Sequence, residues 1–275
     1  MLRKTMLSII IYPAVIALFI FHFMSESESL ARQGEAKVLS EIFPKVEESL
    51  PEVNRTERQI LGGTPDQTTL YIIESLQEGP VVLVIGGIHG NEPAGVLAAE
   101  SISTWVIDQG TLLVIPRANA RAVSTVTRCA LGGGDLNRSF PGTPRGSSCQ
   151  KLARAIYSVM EEFRPQWVID LHEAQEYEQV ITGALGQTII YPRNSNTLDI
   201  ISRVLEYVNN MDGPSKYPFT LRRGAVPGGT ICAALSLGLD GFLVETCRKE
   251  PLDTRVNQHL RAVNSLLQLI DITIY

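Results

Sequence analysis

The chain of 275 residues has only four histidines, four cysteines and two tryptophans, and each shortage narrows what it can do. No stretch interleaves Lys and Arg with aromatic residues, and the formal net charge is −5, so nothing supports a nucleic-acid partner. The cysteines at 129, 149, 232 and 247 never fall in a Cys-x-x-Cys spacing, which argues against a thiolate zinc cluster. Gly132-Gly133-Gly134 is not followed by Gly-Lys-Ser/Thr, so it reads as a linker and not as a phosphate-binding loop. No internal repeat is present. Asn54-Arg55-Thr56 fits a glycosylation sequon, but the motif is too short to carry weight.

What is present suits one exported globular domain. A hydrophobic content of 44% over this length can build one sizeable core. Arg3 and Lys4 precede an almost unbroken apolar run from Met6 to Met24. That run approaches the roughly 20 residues of a spanning helix and exceeds the roughly 7–15 of a signal-peptide core. Pro13 is tolerated in such helices. Residues 1–24 are therefore expected to be one N-terminal membrane helix, with Arg3 and Lys4 in the cytoplasm and the rest of the chain outside it. Cleavage after Ser29-Leu30-Ala31 would make the protein secreted. Residues 25–60, rich in Glu and Ser, read as a stalk, and residues 61–275 as the catalytic domain. In an exported chain four cysteines are compatible with one or two disulfides, or with four buried free thiols.

From Thr68 onward strand-like and helix-like stretches alternate. Strands are expected at 70–73, 81–85, 112–115, 168–171, 188–191 and 241–244, and helices at 94–107, 150–163, 197–209, 230–237 and 254–270. This order predicts an α/β fold, a three-layer sandwich around a mixed, mostly parallel sheet.

The chemistry concentrates at the ends of these strands. Val81 to Ile85 runs directly into Gly86-Gly87-Ile88-His89-Gly90-Asn91-Glu92, which places an imidazole and a carboxylate three residues apart on one loop. Both are ligands for zinc, and a catalytic zinc takes three protein ligands and keeps one position open. Of the remaining histidines, His22 lies in the N-terminal apolar run and His259 in a polar stretch of the last helix. His172, at the end of Trp167 to Leu171, is the third candidate. Arg117, Asn119 and Glu245 also follow strand-like runs, and open α/β sheets bind ligands at the carboxyl ends of their strands.

Four ordered motifs carry a resemblance. His89-Gly90-Asn91-Glu92, Asp135-Leu136-Asn137-Arg138 with Phe140-Pro141-Gly142, Asp170-Leu171-His172-Glu173 and Val244-Glu245-Thr246 are similar to the succinylglutamate desuccinylase/aspartoacylase family, part of the zinc carboxypeptidase-like hydrolases. The resemblance runs from about Arg58 to the end. It implies a zinc carboxypeptidase-like fold with one Zn2+ per chain on His89, Glu92 and His172, and Glu245 as the general base. It further implies that Asp135 orients His89, that Asn137 and Arg138 grip a substrate carboxylate, and that Arg128 stabilises the oxyanion. The segment from Arg128 to Asp135 is about two residues longer than the family pattern, which leaves Arg121 and Arg117 as alternatives for the oxyanion arginine. After Glu245 the chain reads Thr246-Cys247-Arg248-Lys249-Glu250-Pro251-Leu252 where the resemblance implies a glycine-containing stretch for a dedicated aspartoacylase, so the substrate stays open.

The expectation is thus a zinc-dependent hydrolase acting outside the cytoplasm on a small carboxylate-bearing amide. The alternatives are a metallocarboxypeptidase trimming cell-wall or other exported peptides, and a non-hydrolytic binding module. Plainer readings stand beside these assignments. Glu92 could cap the helix that starts near Pro93, and Asn137 and Arg138 could pair with Asp135 to hold their loop. Glu173, Glu176 and Glu178 read as a solvated acidic run.

Overall fold

The computed structural model describes residues 50–130, 132–192, 197–210 and 216–275. The apolar run of β3 (Val81–Gly86) shows how the layers arise. Leu83 and Ile85 turn to one face, where they meet Leu113, Leu152, Ile156 and Ile231. Val82 and Val84 turn to the other, against Ile102, Val204, Val263 and Leu266. A strand buried on both faces reads as a continuous apolar run, and helices must cover both sides. On the first face lie α3 (Ser148–Phe163) and α5 (Thr230–Ser236). On the second lie α1 (Pro93–Ile102), α4 (Leu198–Asn210) and α6 (Leu252–Leu269).

The remaining strands are β1 (Val53–Ile60), β2 (Thr68–Ser75), β4 (Thr111–Ile115), β5 (Trp167–Ala174), β6 (Thr188–Tyr191), β7 (Thr220–Arg223) and β8 (Asp240–Cys247), and the sheet order is β1-β2-β4-β3-β5-β8-β6-β7. The central strands β4, β3, β5 and β8 run parallel, as do β6 and β7, whereas β1–β2, β2–β4 and β6–β8 are antiparallel. The mixed sheet and its two helical layers match the expected class. In register, His172 on β5 stands beside Glu245 on β8, and Leu243 on β8 beside Ile190 on β6.

Several expectations are corrected. The stalk does not reach residue 60, because Val53 to Ile60 pairs antiparallel with β2 from Ser75 to Thr68. Most of this strand is exposed, so it lacks the apolar alternation that would reveal it. The first helix ends at Ile102, short of residue 107, and Ile107 bridges Ile274 instead. Two short elements, β7 and α2 (Ala120–Ser124), were not anticipated. Of the two readings open for the cysteines the free thiols hold, with Cys149 and Cys247 buried and Cys129 and Cys232 half-buried. The expected membrane helix at 1–24 and the stalk at 25–49 lie outside the described residues. Among the described residues no helix is long and apolar enough to cross a membrane.

Candidate metal centre

The His89 loop leaves β3 through Gly87 and is clamped against α2. A Cβ on Gly90 would overlap the backbone of Ala122, so only glycine lets the loop pass here. Glu92 is the N-cap residue of α1, yet its side chain makes no cap hydrogen bond. Helix capping falls instead to Glu173, whose Oε1 accepts from the Ala94 N–H at 2.5 Å and whose Oε2 pairs with Arg255. Glu173 is buried, so that part of the acidic run is structural and not solvated. Freed from capping, the Glu92 carboxylate faces both histidines. Its Oε1 lies 2.8 Å from His89 Nδ1, and its Oε2 lies 2.9 Å from His172 Nδ1.

Each imidazole has its other nitrogen occupied. His89 Nε2 lies 3.2 Å from Asp135 Oδ1, and His172 Nε2 lies 2.9 Å from Asp170 Oδ2, which also accepts from the Thr230 hydroxyl. Two carboxylates on the Nε2 atoms hold the protons there, a tautomer assigned from the bonding network. Both Nδ1 lone pairs then point inward, only 3.2 Å apart. Ligands about 2.0–2.1 Å from one tetrahedral ion are roughly 3.3 Å from each other, so this donor set fits a divalent metal of the zinc type. His89, Glu92 and His172 form a buried group able to hold a metal ion. The same carboxylates also set the proton affinities, and a metal ion would take the place of the proton they favour on His172 Nδ1. Burial alone would raise the Glu92 carboxyl, but His172 and His89 outweigh it and hold it down to about 2. Burial would lower His172, yet Asp170 and Glu92 drive it well above the ordinary imidazole value. Asp135 is likewise lowered, because His89 and Arg128 overcome its burial.

A cavity of about 580 Å³ opens beside this triad. Glu245 lines it, and its carboxylate takes no hydrogen bond from the described residues. Burial, reinforced by Glu92 and Asp170, pushes that carboxyl up to about 8 in the absence of a cation. Arg128 lines the same cavity, donating to Asp135 at 3.0 Å and lying 3.8 Å from Glu92. The two alternative arginines point elsewhere. Arg121 pairs with Asp66 at 3.1 Å and the exposed Arg117 with Glu100 at 2.6 Å. Asn119 caps α2 through Ala122 and is likewise no part of the cavity.

Asn137 and Arg138 both line the cavity from a 3-10 turn (Leu136–Arg138). They do not tie down Asp135 with their side chains. The Asn137 backbone N–H donates to its carboxylate at 2.9 Å and the Arg138 backbone N–H to its carbonyl at 3.1 Å, while the Arg138 guanidinium donates to the Asn137 carbonyl at 2.8 Å. Among the described residues no carboxylate pairs with Arg138. Two residues were missed by the sequence reading, Asp170 and Arg248. The signal for Asp170 was its place two residues before His172, on the same face of one strand. Arg248 lines the cavity and donates to the Asn91 carbonyl. No pattern in the sequence pointed to it beyond the departure after Glu245.

Comparison with known proteins places this arrangement. The chain is 34% identical over 116 residues to an N-alpha-acetyl-L-2,4-diaminobutyric acid deacetylase of Halomonas elongata, covering 41% of this chain and 34% of that protein. It is 28% identical over 154 residues to the aspartoacylase of Danio rerio, covering 52% of this chain and 46% of that one. The chain thus spans less than half the length of these two relatives. The fold matches that of the mDAP-bound form of Csd4 from Helicobacter pylori, a D,L-carboxypeptidase, with a TM-score of 0.65 at 21% identity over 72% of this chain and 52% of that one. Residues 78–270, which hold every ligand and cavity arginine described above, match the succinylglutamate desuccinylase/aspartoacylase catalytic domain, and the chain belongs to that family.

Proposed function

We propose that the protein is a zinc-dependent hydrolase that splits an amide bond next to a free carboxylate, in the manner of an N-acyl amino acid deacylase. One observation carries the reading: two Nδ1 atoms and a carboxylate converge beside the Glu245 carboxylate and Arg138, neither of which has a side-chain partner of opposite charge among the described residues. The names of the two relatives support it.

Bound on His89, Glu92 and His172, zinc would act as a Lewis acid and lower the pKa of water toward about 7. The chain supplies the rest. Asp135 and Asp170 keep the ligand imidazoles in one tautomer. Glu245 takes a proton from the attacking water at a carboxylate oxygen and delivers it to the leaving nitrogen, so amide and water yield a carboxylate and an amine. Arg128 faces the oxygen on which negative charge develops. Arg138 offers a planar fork to the substrate carboxylate, and Asn137 adds an amide donor. We place this activity outside the cytoplasm on the strength of residues 1–24.

A metallocarboxypeptidase is the second reading. The cavity of about 580 Å³ favours it, since a pocket in the range of 300–1,000 Å³ takes a drug-sized ligand. The full chain is expected to carry about one zinc per molecule by metal analysis and to hydrolyse N-acyl amino acids. Turnover of peptides alone would select the carboxypeptidase, and folded protein that takes up no zinc on dialysis against the metal would reject both.

A further inference from the structure

The cavity has two unlike halves. One holds His89 and Glu92 of the metal triad, Glu245 and the arginines. The other begins one pleat away on the same strand. Side chains two residues apart on a strand share a face, about 6.7 Å along it, so Leu243 continues the surface on which Glu245 stands. Ile190 is its register partner on β6, and Ile231 of α5 closes the floor. These three are 7%, 6% and 3% exposed and belong to the main core cluster, so the floor is rigid and cannot turn a polar group inward. Leu185 and Val226 form the walls, and Ile181, half-exposed beside Val180, stands at the mouth. Glu176 also lines the cavity, and its carboxylate is paired with Lys249 at 2.9 Å. An acetyl group has too few carbons to cover the apolar floor.

We propose that this half of the cavity is a subsite for an aliphatic or aromatic group beside the scissile bond, so that the preferred substrates carry an apolar acyl chain or an apolar amino-acid side chain. The inference rests on the hydrolase reading above. The floor lies next to Glu245, so the group it takes must be attached within a few bonds of the reacting carbonyl. Apolar surface leaving water contributes in proportion to its area, which corresponds to about fourfold in affinity per buried methylene.

The test uses the zinc-loaded full chain and two substrate series. One lengthens the acyl group of N-acylglycines from acetyl through butyryl to hexanoyl, and the other varies N-acetylglycine to N-acetylleucine and N-acetylphenylalanine. Along one series kcat/KM is expected to climb about fourfold per methylene until the floor is covered, and the series that climbs identifies which side of the amide enters. Leu185→Asp, with Leu185→Ala as the milder variant should the first not fold, is expected to cut the hexanoyl-to-acetyl ratio, or its amino-acid counterpart, by about tenfold or more. A second readout does not need turnover: calorimetric binding of hexanoate against acetate, and of leucine against glycine, to the Glu245→Gln protein. Measurable hydrolysis with flat series and equal binding overturns the subsite and leaves the hydrolase reading intact. Size-dependent binding without any turnover supports the subsite and overturns the hydrolase reading.

Discussion

Successive residues of β8 point to opposite faces of the sheet, and each meets a fully buried histidine. Glu245 stands beside His172 on the α5 side, while Thr246 contacts His259 of α6 at 3.4 Å on the other. The two imidazoles are equally withdrawn from water, at 1% and 0% exposure. Their proton affinities nevertheless move in opposite directions. His172 faces Asp170 and Glu92 and rises well above the ordinary value. Among the described residues no carboxylate pairs with His259 and its Nδ1 has no hydrogen-bond partner, and burial, with the charge of His172, drives it down to about 3. Burial alone keeps a histidine neutral, whereas burial with carboxylates on both nitrogens makes it a site that favours a cation, whether a proton or a metal ion.

The contrast can be tested from its strongest element downward. Glu245→Gln is expected to lower kcat by about 10²–10⁴-fold while zinc content stays at about one per chain; loss of the metal would move Glu245 into the ligand set. On the opposite face, His259 governs acid stability. The unfolded histidine binds a proton near pH 6.5, and the folded one resists it until about 3, so stability present above pH 6.5 is lost as the pH falls through that window. The full effect is on the order of 5 kcal/mol, and urea midpoints of His259→Asn should be flatter than wild type between these limits. An unchanged slope would show that folded and unfolded His259 take up the proton alike.

Asp170→Asn should weaken zinc binding by about 10–100-fold in a chelator competition, because the partner that holds the His172 tautomer is lost. Equal affinity would mean that carboxylate supply is not what separates the two faces. The smallest effect belongs to Thr246→Val. Its contacts to His259 and to the His172 carbonyl are long, at 3.4 and 3.5 Å, so the expected destabilisation in urea is below about 1 kcal/mol. A larger loss would reveal coupling through the strand.

The central strands and the five longer helices were legible because apolar period carries them, and their ends fell within about three residues of the observed ones, except that the first helix stops at Ile102 and not at 107. β1 and β7 were not, since an edge strand exposes most of its side chains and reads as polar sequence. At the site, His89, Glu92 and His172 stood out by ligand chemistry alone. Asp170 did not, because an acid inside an apolar strand shows its purpose only once its neighbour two residues on is known to be a ligand. Glu173 was misread for the opposite reason: its near neighbours Glu176 and Glu178 are acidic too, but the fold buries it under the start of α1.

Gly90 has one more consequence. With the His89 loop pressed onto Ala122, folding itself positions two of the three donors before any ion arrives. Metal affinity therefore need not drive the ordering of a loop, and the same affinity is returned as thermal stability through RT ln(1 + [L]/Kd). Chelation should lower the melting temperature of the whole domain without first loosening this corner of it.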